Sequence, residues 1–170
     1  MISKKLQDAI NTQINKELYS EYLYLSMRAW FAQQSLDGFA NWMDIQTQEE
    51  HAHAMKFFAY VIERGGKIEL EAIEKPAHDF ESPIKAFQIT LEHESYVSSS
   101  INGLMDIAIS ENDHAARSFL QWFVEEQVEE EANADRILSQ LKMIGDRIEG
   151  VLMLDRELAK RVFVPITPAN

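Results

Sequence analysis

The sequence predicts an all-α protein, a four-helix bundle with one long crossover and a short fifth helix at the C-terminus. Three observations lead there. Only 6 Gly and 4 Pro punctuate the 170 residues, so long stretches run without a breaker. Within them apolar residues recur every three or four positions instead of alternating. The breaks between stretches are short except for one. With 46% hydrophobic residues, the chain can build one compact core over residues 1–170.

The first helix is expected over residues 4–34, after Ser3 as N-cap and before the break Ser35-Leu36-Asp37-Gly38. The second covers 37–64 and stops at Gly65-Gly66, which supplies a left-handed C-cap. The period lapses over 65–82, where Pro76 sits. Ser82-Pro83 is an N-cap followed by proline at the first helical position, opening a third helix over 83–110. Asn112-Asp113 breaks the pattern and caps a fourth helix over 114–144. Gly145 and Gly150 flank a kink before a fifth over 151–161, and Pro165 and Pro168 close the tail. The long helices measure roughly 42 Å at about 1.5 Å per residue. The 65–82 connection can stretch over ~60 Å, enough to cross the bundle from end to end. The second and third helices can therefore run parallel, with antiparallel hairpins on either side.

Composition removes several chemistries. Cysteine is absent, so a metal has to be held by oxygen and imidazole nitrogen. The formal charge of −12, from 28 acidic and 16 basic residues, repels phosphate backbones and disfavours nucleic acid as a partner. The segment Met1-Ile2-Ser3-Lys4-Lys5 leads directly into an amphipathic pattern, with no apolar run of signal-peptide or membrane-span length. A soluble, cytoplasmic protein without membrane association is expected.

The seams that should form the core contain carboxylates. On the fourth helix the inward stripe reads Ala116, Leu120, Phe123, Gln127, Glu130, Ala134, Ile137, Leu141. On the second it reads Phe39, Met43, Gln46, Glu50, His53, Phe57, Tyr60, and on the third Ile84, Phe87, Leu91, Glu94, Ser98, Ile101. On the first, Ile10 and Ile14 lead to Glu17, with Tyr24 two turns on. Glu17, Glu50, Glu94 and Glu130 each lie near mid-helix, so packing would bring them together. Burial and mutual repulsion would make such a cluster prohibitive unless cations neutralise it. Glu50-x-x-His53 places its side chains about 60° apart on one face, fit to share one ion. Glu111-x-x-His114 has the same spacing but straddles a break with no seam behind it and is read as chance. His51 points away from His53, and His78 and His93 have no motif support.

Glu17, Tyr24, Glu50, His53, Glu94, Gln127 and Glu130 together resemble the iron-oxidation centre of the non-haem bacterial ferritins, over essentially the whole chain. The resemblance implies a ferritin-like bundle and a ferroxidase that stores iron and protects against it. It implies that Glu17, Glu50 and His53 hold one iron, and that Glu50, Glu94 and Glu130 hold a second, with Tyr24 and Gln127 adjacent. Glu49, Glu126 and Glu129, with Glu130, match the third iron site of these ferritins. On residues alone, Glu125-Glu126 and Glu129-Glu130-Glu131 also read as a solvated acidic face, the lesser of the two readings. Dioxygen or hydrogen peroxide would be the oxidant, and twenty-four copies would form the hollow shell. Haem is not expected. Bacterioferritins carry a second Glu-x-x-His where this chain has Gln127-x-x-Glu130, and their haem methionine is replaced here by His51. The acidic pair of the animal ferritin access channel would fall near Arg117 and Leu120 and is missing. The competing reading is a metal-buffering or structural bundle without redox turnover.

Overall fold

The computed structural model describes residues 1–166; Pro168 lies outside them. It contains α1 (Lys4–Gln33), α2 (Asp37–Glu63), α3 (Pro83–Ser110), α4 (His114–Ile144) and α5 (Ile148–Leu158). No strand occurs among the described residues. Three of the starts are fixed by the side chains the sequence points to. Ser3 accepts from the Leu6 amide at 3.1 Å, Ser82 from Lys85 at 3.2 Å and Asp113 from Ala116 at 3.0 Å. Gly65 ends α2 at φ +70°.

The start of α2 is capped from elsewhere. Leu36 offers no side-chain acceptor, and Asp155 of α5 takes its place, its Oδ1 accepting from the Gly38 amide at 2.8 Å and the Phe39 amide at 3.0 Å. A carboxylate there also suits the positive end of the helix dipole.

α1 packs along α2 and α3 along α4, while α5 lies mainly on α2. Phe31, Phe39, Phe87 and Leu141 belong to one apolar cluster, and Ile10, Phe57, Ile101 and Leu120 to another. The first cluster draws on the N-terminal halves of both α2 and α3, so these two helices run parallel. The crossover that permits this rides along α1. Asn11 brackets Lys67 and Glu69, Asn15 donates to the Glu71 and Ala72 carbonyls, and Ser26 donates to the Ala77 carbonyl at 2.6 Å. Phe80 then buries its ring against Trp30. These bonds satisfy a backbone that has no helix or sheet of its own.

Two expectations need correction. The α3 seam runs through Thr90, Glu94, Val97 and Ile101, not through Leu91 and Ser98, which are only half-buried. Both patterns keep helical spacing; the observed seam is turned by about 100°, one residue, to the side of Glu94 that carries Thr90 and Val97. The fifth helix spans Ile148–Leu158 instead of 151–161. Gly150 does not precede it but lies inside its first turn, where a Cβ would meet Ile144 Cγ2 at 2.7 Å. The missing side chain lets α5 fold back closely against the end of α4. Leu154 and Leu158 are buried within the chain, while Ile148, Leu152, Met153 and Val162 are exposed on the single subunit.

Candidate metal centre

Between the two apolar clusters lies a layer of polar side chains contributed by all four long helices. Glu17, Glu50, Glu94 and Glu130 are each at most 3% exposed, and His53 is 1% exposed. Five ionisable groups are thus removed from water at mid-bundle, and apolar residues of the same helices hold them there. Glu17 follows Ile10 and Ile14, while Glu50 and His53 sit between Met43 and Phe57.

The layer has two halves. In the first, Glu17, Glu50 and His53 bring ligand-type atoms within 4.8 Å of one another. His53 Nδ1 lies 3.6 Å from Glu50 Oε2. That gap is too long for a hydrogen bond and fits two donors facing one ion. Burial, reinforced by Lys56, pushes His53 down to about 4, so its imidazole is neutral near pH 7 and keeps a lone pair for metal. A neutral ring makes no ion pair with Glu50. In the second half, Glu94 accepts from the Tyr24 hydroxyl and from Gln127 Nε2 at 3.1 Å, and Glu130 Oε2 accepts from Gln46 Nε2 at 2.9 Å.

Glu17 Oε2, Glu50 Oε2 and His53 Nε2 are buried without a hydrogen-bond partner. Orphaned carboxylate oxygens such as those of Glu17 and Glu50 are rare in folded proteins and need an explanation. Cation binding supplies one, and hard oxygen with imidazole nitrogen is the donor set that iron accepts.

Without a cation the carboxylates resist ionisation. Burial raises Glu94 to about 7, and burial with Glu94 and Glu49 nearby raises Glu130 to about 8. Glu50, buried and facing Glu94, Glu17 and Glu130, is held well above the usual range, and burial also raises Glu17. The unfolded chain gives up these protons near pH 4.5 while the fold retains them. Their contribution to stability is therefore full below about 4.5 and fades as pH climbs through about 8. His53 acts oppositely, but only as pH falls below 6.5. From pH 6.5 to 8 the carboxylates dominate, and the metal-free protein should lose melting temperature across this window by calorimetry. Glu130→Gln should flatten the slope, and saturating Zn(II) should reverse it because ligands bind metal deprotonated. A metal-free melting temperature constant from pH 6.5 to 8 would contradict the buried cluster.

The other expected residues are placed less tightly. Glu49 and Glu126 are half-buried and Glu129 is exposed. Among the described residues they do not form a group as close as Glu17, Glu50 and His53. Glu49 pairs with Arg161 at 2.6 Å. Glu111 accepts from Ser3, His114 is exposed, and their shared spacing builds no site. His51 bonds the exposed edge of Glu21, and Leu120 is buried in the core, where it cannot line a channel.

Reasoning from sequence named Gln127 and put Gln46 on the inward face, but missed Gln13 and the contact Gln46 makes. Gln13 Nε2 donates to Glu17 Oε1 at 2.8 Å while Gln13 Oε1 accepts from Ser100. Gln46 does the same between Arg161 and Glu130. Each amide is oriented by a donor on its oxygen side, which turns its NH2 toward a carboxylate. One signal existed: Gln13 precedes Glu17 and Gln46 precedes Glu50 by four residues, on the same face.

A family profile described as a ferritin-like domain matches residues 7–144. The chain belongs to the ferritin family. A bacterial non-heme ferritin from Bacteroides fragilis is 44% identical over 161 residues, spanning 95% of this chain and 100% of the relative. One from Campylobacter jejuni is 38% identical, spanning 92% and 93%. Among solved structures, an open pore ferritin from the archaeon Archaeoglobus fulgidus superposes with a TM-score of 0.94 at 49% identity, covering 95% of this ferritin and 100% of the other. An engineered closed form of that archaeal ferritin gives 0.95. The resemblance to non-haem bacterial ferritins and the four-helix fold are both borne out. Among the described residues no helix of this ferritin is long and apolar enough to cross a membrane.

Proposed function

We propose that this chain stores iron as ferritins do, and that it oxidises Fe(II) at a pair of sites inside the bundle before mineral forms in a hollow shell of twenty-four subunits. The observation that carries the reading is the sealed polar layer with unpartnered oxygens on Glu17 and Glu50 beside the neutral imidazole of His53. Glu17, Glu50 and His53 hold the first Fe(II), and Glu50, Glu94 and Glu130 the second, with Glu50 shared. Tyr24 and Gln127 hold Glu94 in place. The two ions each give one electron to a dioxygen, which takes up two protons to become hydrogen peroxide. Where hydrogen peroxide is the oxidant instead, it takes one electron from each ion with two protons and becomes two waters. Anionic oxygen ligands stabilise Fe(III) over Fe(II) and so favour electron loss. A site with few ligands per ion leaves positions open for oxidant and for departure of product.

The exposed Ile148, Leu152 and Met153 of α5 support assembly, because neighbouring copies would cover them. Aerobic addition of Fe(II) should give a rapid absorbance rise and dense cores in electron micrographs. Sedimentation should show a single large species. Binding without oxidation would instead favour a metal-buffering bundle.

Glu49, Glu126 and Glu129, with the shared Glu130, form the third ion site in this reading. Burial raises Glu49 and Glu126, with further repulsion among Glu49, Glu126 and Glu129. Replacing Glu49, Glu126 and Glu129 together by alanine should remove one ion per subunit and change the iron oxidised per oxidant consumed, while the paired site still turns over. Three ions per subunit in crystals of that variant soaked in Zn(II), or an emptied pair, would refute the assignment.

A further inference from the structure

Past the end of α5, Arg161 turns back onto α2. Its guanidinium donates to Glu49 Oε2 at 2.6 Å and to Gln46 Oε1, reaches the Trp42 carbonyl at 3.5 Å, and lies 4.8 Å from the centre of the Trp42 ring. Trp42, Gln46 and Glu49 are spaced by four and three residues, so one face of α2 receives the whole side chain. Asn41 holds the backbone, donating to the Leu158 carbonyl at 3.2 Å and the Arg161 carbonyl at 3.1 Å. The side chains of Arg161 and Glu49 are only 23% and 18% exposed, so the pair is shielded in a way that ordinary surface pairs are not.

We infer that Arg161 is a clasp on the third carboxylate group: its guanidinium is the counter-cation of Glu49 while that group is empty, and an ion bound by Glu49 displaces it and frees the segment after α5. The inference rests on the reading of Glu49, Glu126, Glu129 and Glu130 as a third ion site. Arg161 already occupies Glu49 Oε2, and an ion on the same carboxylate would bring two positive charges to contact distance, where they repel each other strongly in a partly buried setting. The coupling is reciprocal. Whatever tightens the C-terminal segment on α2 weakens the third ion, and the ion loosens the segment by the same factor. Arg161 is thus a positioning residue that sets the affinity of the third site without being one of its ligands.

The test uses Zn(II) as a redox-inert probe on the full-length protein, with wild type, Arg161→Gln, Arg161→Lys and Glu49→Gln titrated in parallel. Arg161→Gln should take the third Zn(II) about tenfold more tightly than wild type. Arg161→Lys should fall between them, since lysine keeps the charge but not the two-pronged contact. Hydrogen exchange supplies a second readout. The third equivalent should speed exchange over residues 159–166 in wild type, and Arg161→Gln should exchange rapidly there without metal. If wild type binds three ions and Arg161→Gln binds the third no better, the clasp is wrong and the third site stands. If wild type, Arg161→Gln and Glu49→Gln all stop at two ions, the third-site reading fails and the clasp fails with it.

Discussion

Glu50→Ala is expected to lower the initial rate of aerobic Fe(II) oxidation by more than about 100-fold, beyond the roughly 10–100-fold that losing a supporting contact typically costs a metal site. The reason is positional. Glu50 stands between Glu17 and His53 on one side and Glu94 and Glu130 on the other, so its removal reaches both of the proposed ion sites at once. Loss of a ligand and loss of the fold are separable here, because they move melting temperature in opposite directions. Glu50 is buried, and Oε2 has no partner. Glu50→Gln should therefore stabilise the metal-free protein, the more so as pH rises, while still disabling oxidation. A near-normal initial rate in Glu50→Ala would overturn the proposed pair.

Gly38→Ala is expected to be among the most damaging single substitutions outside the metal layer. A Cβ on Gly38 would lie 1.6 Å from the Asp155 carbonyl oxygen and 2.5 Å from its carbonyl carbon. Both are backbone atoms, so no rotamer change relieves the overlap, and α5 has to leave the start of α2. Its departure breaks the two amide bonds to Asp155 Oδ1 and uncovers Leu154 and Leu158. The loss should reach about 3 kcal/mol or more. Asp155→Ala removes only the cap and should cost about 1–2 kcal/mol. Calorimetry of the two variants would check the ranking, and a wild-type melting temperature in Gly38→Ala would refute the close approach.

Most of the helical framework was legible because its signals are local. Ser3, Ser82 and Asp113 cap helices through their own side chains, and Gly65 ends one through its own backbone. The carboxylate layer was legible because period and burial agree on four separate helices, and the seams of α2 and α4 are buried throughout. Signals that depend on a distant partner were not. Nothing near Gly38 announces that Asp155 will cap it, and nothing in the run after α5 marks Arg161 as a neighbour of Glu49. Gly150 misled for the same reason: as a breaker it belongs outside a helix, but its purpose is room for Ile144. His93 had no motif, yet it bonds Ser20 at 2.7 Å beside Tyr19, Tyr24 and Tyr96, and burial pushes it down to about 4.

A polar layer that separates two apolar clusters also shapes how the chain comes apart. Each cluster closes on side chains from all four long helices, so each is a packed core of its own. What joins them, in the empty protein, is a waist of crowded carboxylates that contributes little cohesion. The helices are continuous through that waist, but their amides there should open at lower free energy than those within either cluster. Cations held by the proposed ligands Glu17, Glu50, Glu94 and Glu130 would act as rivets between the two bodies. Loading would thereby make the two halves open as one, and the cargo of the protein would become a structural member of the subunit that carries it.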